Sequence, residues 1–172
     1  MYKRQSKTYG AYIAVQSDPN YIFRNDWEEP SYGRDADNDV FTKLAKTNND
    51  GTITDYGATF EDAVISGNGT YTCSMTTGDM GFGEDTAFHF FRASTDIPSK
   101  LVKEGYVTIS DVTIKIGEGK TQSGVVVDTS GDWVKLIVED NYNNIKADGV
   151  VLTAPAPNTT TVITFTVSGL AE

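Results

Sequence analysis

The chain has 172 residues, 38% of them hydrophobic, which suits one domain that buries a core without disulfide or metal staples. Its 24 acidic against 14 basic residues give a formal charge of -10, which disfavours nucleic acid, anionic membrane and acidic polysaccharide and leaves neutral or cationic partners. A single cysteine, Cys73, excludes an internal disulfide and a cysteine-based zinc site, no apolar run is long enough for a membrane-crossing helix, and the lone His89 has no Gly-x-Ser-x-Gly motif beside it.

Met1-Tyr2-Lys3-Arg4-Gln5 includes the translation of TAT AAG AGA CAG, the end of a transposase-based sequencing adapter. Residues 1–5 are therefore read as an artefact and residues 6–172 as a single domain, a fragment of a longer multimodular protein. From Ala11 the chain alternates, with Ile13 and Val15 on one side and Tyr12, Ala14 and Gln16 on the other, the period of a half-buried strand. Asp18-Pro19-Asn20 breaks it. A second strand over 21–27 places Phe23 and Asn25 on one face and Ile22 and Arg24 on the other, and leaves Trp27 and Tyr32 in a loop with Glu28, Glu29, Pro30 and Ser31. An aromatic in such polar company either caps the core or offers a flat face to a ligand.

Val40, Phe41 and Leu44 have helical spacing behind Asn38 or Asp39, so a short helix is expected up to Lys46. Asp35, Asp37 and Asp39 offer alternate oxygens, and Asn48-Asn49-Asp50-Gly51 resembles part of a calcium loop. The glycine and terminal glutamate of an EF-hand are missing from the first and Lys46 stands at the first ligand position of the second, so both read as solvated runs. No cofactor is expected, and a structural calcium ion is left open.

Beyond Thr52 strands follow one another. Residues 59–65, the turn Ser66-Gly67-Asn68-Gly69 and residues 70–76 read as a hairpin, with Tyr71, Cys73 and Met75 facing in. In the next strand, 86–95, Phe88 and Phe90 share one face and His89, Phe91 and Ala93 the other. Over 106–116 the apolar parity changes from Val107 and Ile109 to Val112, Ile114 and Ile116, which predicts a β-bulge near Ser110-Asp111. Strands at 125–128, 133–138, 145–153 and 162–167 complete an all-β antiparallel sandwich of about nine or ten strands with one short helix. Trp133 has the parity of Lys135 and lies opposite the apolar Val134, Leu136 and Val138, so its ring belongs to the more polar side.

Tyr12-Ile13-Ala14-Val15-Gln16, Phe23-Arg24-Asn25-Asp26-Trp27, Tyr32-Gly33, Gly67-Asn68-Gly69-Thr70-Tyr71, Ser94-Thr95-Asp96-Ile97-Pro98 and Thr164-Phe165-Thr166-Val167-Ser168-Gly169-Leu170 together resemble a carbohydrate-binding module of plant-cell-wall-degrading enzymes from anaerobic gut bacteria. The resemblance spans nearly the whole chain after residue 9. It implies a β-jelly-roll that binds neutral β-glucans such as xyloglucan, mixed-linkage glucan or cellulose chains, as a secreted monomer joined to a glycoside hydrolase. The ligand would lie across one sheet, on Trp27 and Tyr32 and next on the strand that carries His89 and Phe91. A tryptophan or glutamine is expected at one of those last two positions, and its absence departs from the pattern.

The chemistry is consistent with that. The C-H faces of a β-glucan stack on Trp or Tyr rings, and its hydroxyls need fixed donors and acceptors, which Gln16, Arg24 and Asn25 supply, with Trp133 as a second platform. Each has a plainer reading: Arg24 paired with Asp26, Asn25 spent on turn backbone, Gln16 solvated, Trp133 covering a sheet edge. Two other functions compete. Glu28, Glu29, Asp62 and Glu139 are carboxylates for a glycosidase, but no motif pairs them at the ~5 Å or ~6.5–9.5 Å that such catalysis needs, so no enzyme is expected. A structural or adhesive module of a cell-surface protein would suit the threonine-rich strands.

Overall fold

The computed structural model describes residues 8–18, 23–24, 44–84 and 86–170, and within these the chain is an antiparallel two-sheet sandwich. The larger sheet is built around β1 (Tyr9–Asp18) and β8 (Ala87–Pro98), which pair along most of their lengths. β12 (Trp133–Asp140) flanks β8 on its other side, followed by β11 (Val126–Asp128) at the edge. On the far side of β1 the order is β2 (Phe23–Arg24), β3 (Ala45–Thr47) and β4 (Ile53–Asp55), while β6 (Ala63–Ile65) pairs with the start of β1 and β13 (Ile145–Lys146) with the end of β12. The smaller sheet runs β10 (Gln122–Ser123), β9 (Thr108–Ile116), β14 (Thr160–Ser168), β7 (Gly69–Thr76), β5 (Thr59–Glu61).

Alternation puts the core between the sheets. Ile13, Val15, Leu136 and Val138 from the larger sheet meet Cys73, Met75, Ile114, Ile163, Phe165 and Val167 from the smaller, all buried in one cluster. Tyr71 is half-buried against it, with its hydroxyl donating to Gly67 O at 2.7 Å and closing the turn before β7. The expected bulge is present. Ser110 pairs with Thr166 and Thr113 with Thr164, so β9 holds one residue more than β14 there, and Asp111 takes φ 52. That extra residue keeps Ile109, Val112 and Ile114 all on the core side.

Three expectations are corrected. The helix read up to Lys46 is not formed in its described part, where 45–47 is strand. Ala45 there pairs with Phe23 and Asp55, and the tertiary ladder overrides local spacing. The only helix among the described residues is α1 (Ser99–Lys103), begun by Pro98 where β8 ends. The hairpin at 59–76 is half formed: β5 pairs with β7, but after Asp62 the chain crosses to the larger sheet and β6 joins β1. The strand read over 145–153 stops at Lys146, where Ala147 N–H returns to Val138 O and Gly149 turns the chain at φ 76.

Candidate functional site

The face of the larger sheet turned away from the core is laid out by its ladders. Tyr12, Ser94, Lys135 and Asp128 form one row across four strands. Ala14, Arg92, Ile137 and Val126 form the next, and Gln16, Phe90 and Asp140 the third. The middle of this face is buried at Ala14, Phe90, Arg92, Ile137 and Asp140, whereas Tyr12, Gln16 and Lys135 are half-buried. Trp133 stands at one end of it opposite Pro98, with half of its surface exposed (51%).

Arg92 and Asp140 are a buried ion pair. Arg92 Nη1 lies 3.1 Å from Asp140 Oδ2, and the guanidinium carbon lies 4.1 Å from the Phe90 ring centroid, so the cation meets an anion and an aromatic face together. Asp140 also shapes the turn that follows. Its Oδ1 accepts from the N–H of Tyr142 at 3.1 Å and of Asn143 at 3.3 Å, and its Oδ2 accepts from Asn143 Nδ2 at 2.8 Å. Asn141 ties the turn to β8, donating from its backbone to His89 O at 2.7 Å and from Nδ2 to Phe88 O at 2.9 Å. Asn144, at φ 55, closes it in a conformation that asparagine tolerates well.

His89 is the extra residue of a second bulge, since Ser17 pairs with Phe88 and Gln16 with Phe90. The bulge changes the parity of β8. Phe88 and Phe91 both face the core, and Phe90 faces out with Arg92. Phe91 is therefore not a ligand platform: it is fully buried and meets Phe88 edge-on at 5.2 Å. His89 is half-buried, and its ring stacks on Tyr142 at 5.2 Å with 20° between the planes.

The structure thus gathers Gln16 and His89 at the end of the sheet where β1 finishes and β8 begins. Arg24 lies next to Val15 at the same end by its backbone pairing, and its side chain is outside the description. Trp27, Tyr32 and Asn25 lie outside the described residues. Trp133 is not part of this cluster, being about 20 Å away along β12 at the rise of an extended strand. Sequence reasoning missed Tyr142, exposed at 57%. Its signal was an aromatic set among asparagines in Asp140-Asn141-Tyr142-Asn143-Asn144, a turn composition that leaves a ring little to bury against.

Among the described residues no three His, Cys, Asp or Glu side chains group to hold a metal ion. Asp35, Asp37 and Asp39 lie outside them. Asp50 is engaged in its own turn, where Oδ1 accepts from Thr52 N at 3.0 Å and from Thr52 Oγ1 at 2.6 Å, and these bonds hold its carboxyl below the usual range. Cys73 is buried and in no disulfide, and its burial is what its parity suggested. Comparison of the chain with family models, curated proteins and solved structures found no match.

Proposed function

We propose that this domain is a non-catalytic carbohydrate-binding module for neutral plant β-glucans, secreted as part of a larger protein and directing an attached glycoside hydrolase to its substrate. The observation that carries the reading is Trp133. A half-exposed indole at one end of the outer face of the larger sheet, on the same side of β12 as Lys135 and opposite Pro98 of β8, is a costly residue to leave wet unless a flat apolar surface comes to cover it. Trp27 and Tyr32 join it as stacking residues on the strength of the sequence alone.

A non-catalytic role is supported by the placement of the carboxylates. Asp62 precedes β6, whose Ala63 pairs with Ala11, whereas Glu139 pairs with Phe91 at the level of Val15. Asp62 thereby falls at the level of Tyr12, three residues of β1 or about 10 Å from Val15, and three strand spacings of about 4.8 Å lie between β6 and β12, together more than the spans of either glycosidase geometry; Glu28 and Glu29 lie outside the described residues. The second reading, a structural or adhesive module, is favoured by the outer face of the smaller sheet. There Thr70 bonds Thr166 at 3.0 Å and Thr76 bonds Thr160 at 2.8 Å, so threonines are satisfied by one another.

Affinity electrophoresis in gels containing xyloglucan, mixed-linkage glucan or hydroxyethylcellulose, with a reducing-sugar assay beside it, separates the readings. Retardation without sugar release is expected, together with at least tenfold weaker binding by Trp27→Ala and Trp133→Ala. Hydrolysis would make the domain an enzyme. Migration unchanged in every gel would favour the structural module.

A further inference from the structure

The turn at 140–144 is more ordered than an exposed loop needs to be. Six hydrogen bonds to Asp140, Phe88 and His89 fix its path, and the carboxylate that organises it is itself anchored by the buried Arg92. What the turn holds outward is a tyrosine ring. Its inner face lies on the His89 imidazole while more than half of its surface is exposed. A tyrosine free in solvent samples several rotamers and gives up that freedom when a ligand stacks on it; here the stacking partner has already restricted it. Asn141 and Asn143 flank the ring, both exposed. Among the described residues each side chain bonds through its nitrogen, so its carbonyl oxygen keeps its capacity to accept.

From this juxtaposition we infer that the 140–144 turn is a second carbohydrate foothold, in which the outer face of Tyr142 stacks on a pyranose ring of a neutral glycan and the amide oxygens of Asn141 and Asn143 accept from its hydroxyls. The inference rests on the reading proposed above and extends it. Trp133 and Tyr142 stand about 20 Å apart at opposite ends of β12, so one glycan chain long enough to reach both gains from two contacts, and a short oligosaccharide engages only one at a time.

The test is affinity electrophoresis in xyloglucan and mixed-linkage glucan with the parent and three variants, each checked for an unchanged thermal melt. Tyr142→Ala should weaken retardation about tenfold, while Tyr142→Phe, which keeps the ring, should stay within about twofold of the parent. Tyr106→Ala removes a ring that is equally wet, at 65% exposure, and should change nothing. Parent-like binding by Tyr142→Ala overturns the foothold and leaves the glucan reading standing. Equal loss in Tyr142→Phe overturns the stacking role. A parent that none of the gels retards removes the glucan reading and the foothold with it.

Discussion

Thr161 sits in β14 between Met75 and Ile116, fully buried, and its Oγ1 has no hydrogen-bond partner among the described residues. A desolvated hydroxyl with nothing to bond costs more than it returns, and valine has the same shape and suits a strand. Thr161→Val is therefore expected to stabilise the fold by about 1 kcal/mol, near 2–4 °C in Tm for a chain of this size. Thr77→Val is the contrast. Its hydroxyl donates to Ala156 O and accepts from Thr159 N at 2.9 Å, so the same change should lower Tm, and a matched gain in both variants would refute the argument. Asp50 carries a pH effect of defined sign. Because Thr52 bonds the charged carboxylate, its pKa is lowered on folding, so its contribution is present above the usual carboxylate value and is lost as pH falls through the lowered one. The Thr52 amide resonance should shift in that acid range, and in Asp50→Asn the shift should vanish.

The bulges in β9 and at His89 in β8 decide which faces those strands present. In β9 the extra residue is Asp111 at φ 52, a backbone region costly for a β-branched side chain. Asp111→Val should destabilise by about 1–2 kcal/mol, and Asp111→Gly should be close to neutral in chemical denaturation. Equal effects of the two would mean that the side chain, not the backbone, sets the bulge. This bulge was legible in the sequence because apolar residues mark the core side both before and after it, Ile109 and then Val112 and Ile114. The one at His89 was hidden, since Phe88, Phe90 and Phe91 are all large aromatics and alternation among them marks no side. Phe91 was consequently read as outward. The helix expected up to Lys46 and the strand expected over 145–153 failed for a common reason: spacing measures local preference, and pairing with β2 and β4, or a turn at Gly149, is a tertiary choice. Within the site, Gln16 and Trp133 were legible from period-2 alternation alone. Tyr142 was not, because its placement depends on Asp140 being anchored by a residue 48 positions earlier in the chain.

At the scale of the whole molecule, the chain carries a formal charge of -10, and the one buried ion pair among the described residues, Arg92 with Asp140, is closed off from solvent, the two charges meeting each other beneath the 140–144 turn. The side chains through which a glycan would be gripped are rings and amides: Trp133, Tyr142, Gln16, Asn141 and Asn143. Stacking and neutral hydrogen bonds are short-ranged and little affected by mobile ions, whereas the long-range field of the protein is screened beyond about 8 Å at physiological ionic strength. Two outcomes follow for affinity gels. Retardation by a neutral β-glucan should change less than about twofold between 20 mM and 500 mM salt. Polygalacturonate, a polyanion of similar ring shape, should fail to retard the domain at low salt, because bringing it to the surface means working against the net charge before any ring can stack. Strong retention by polygalacturonate, or glucan binding that collapses as salt rises, would place the ligand on a charged patch and not on the aromatic residues of the larger sheet.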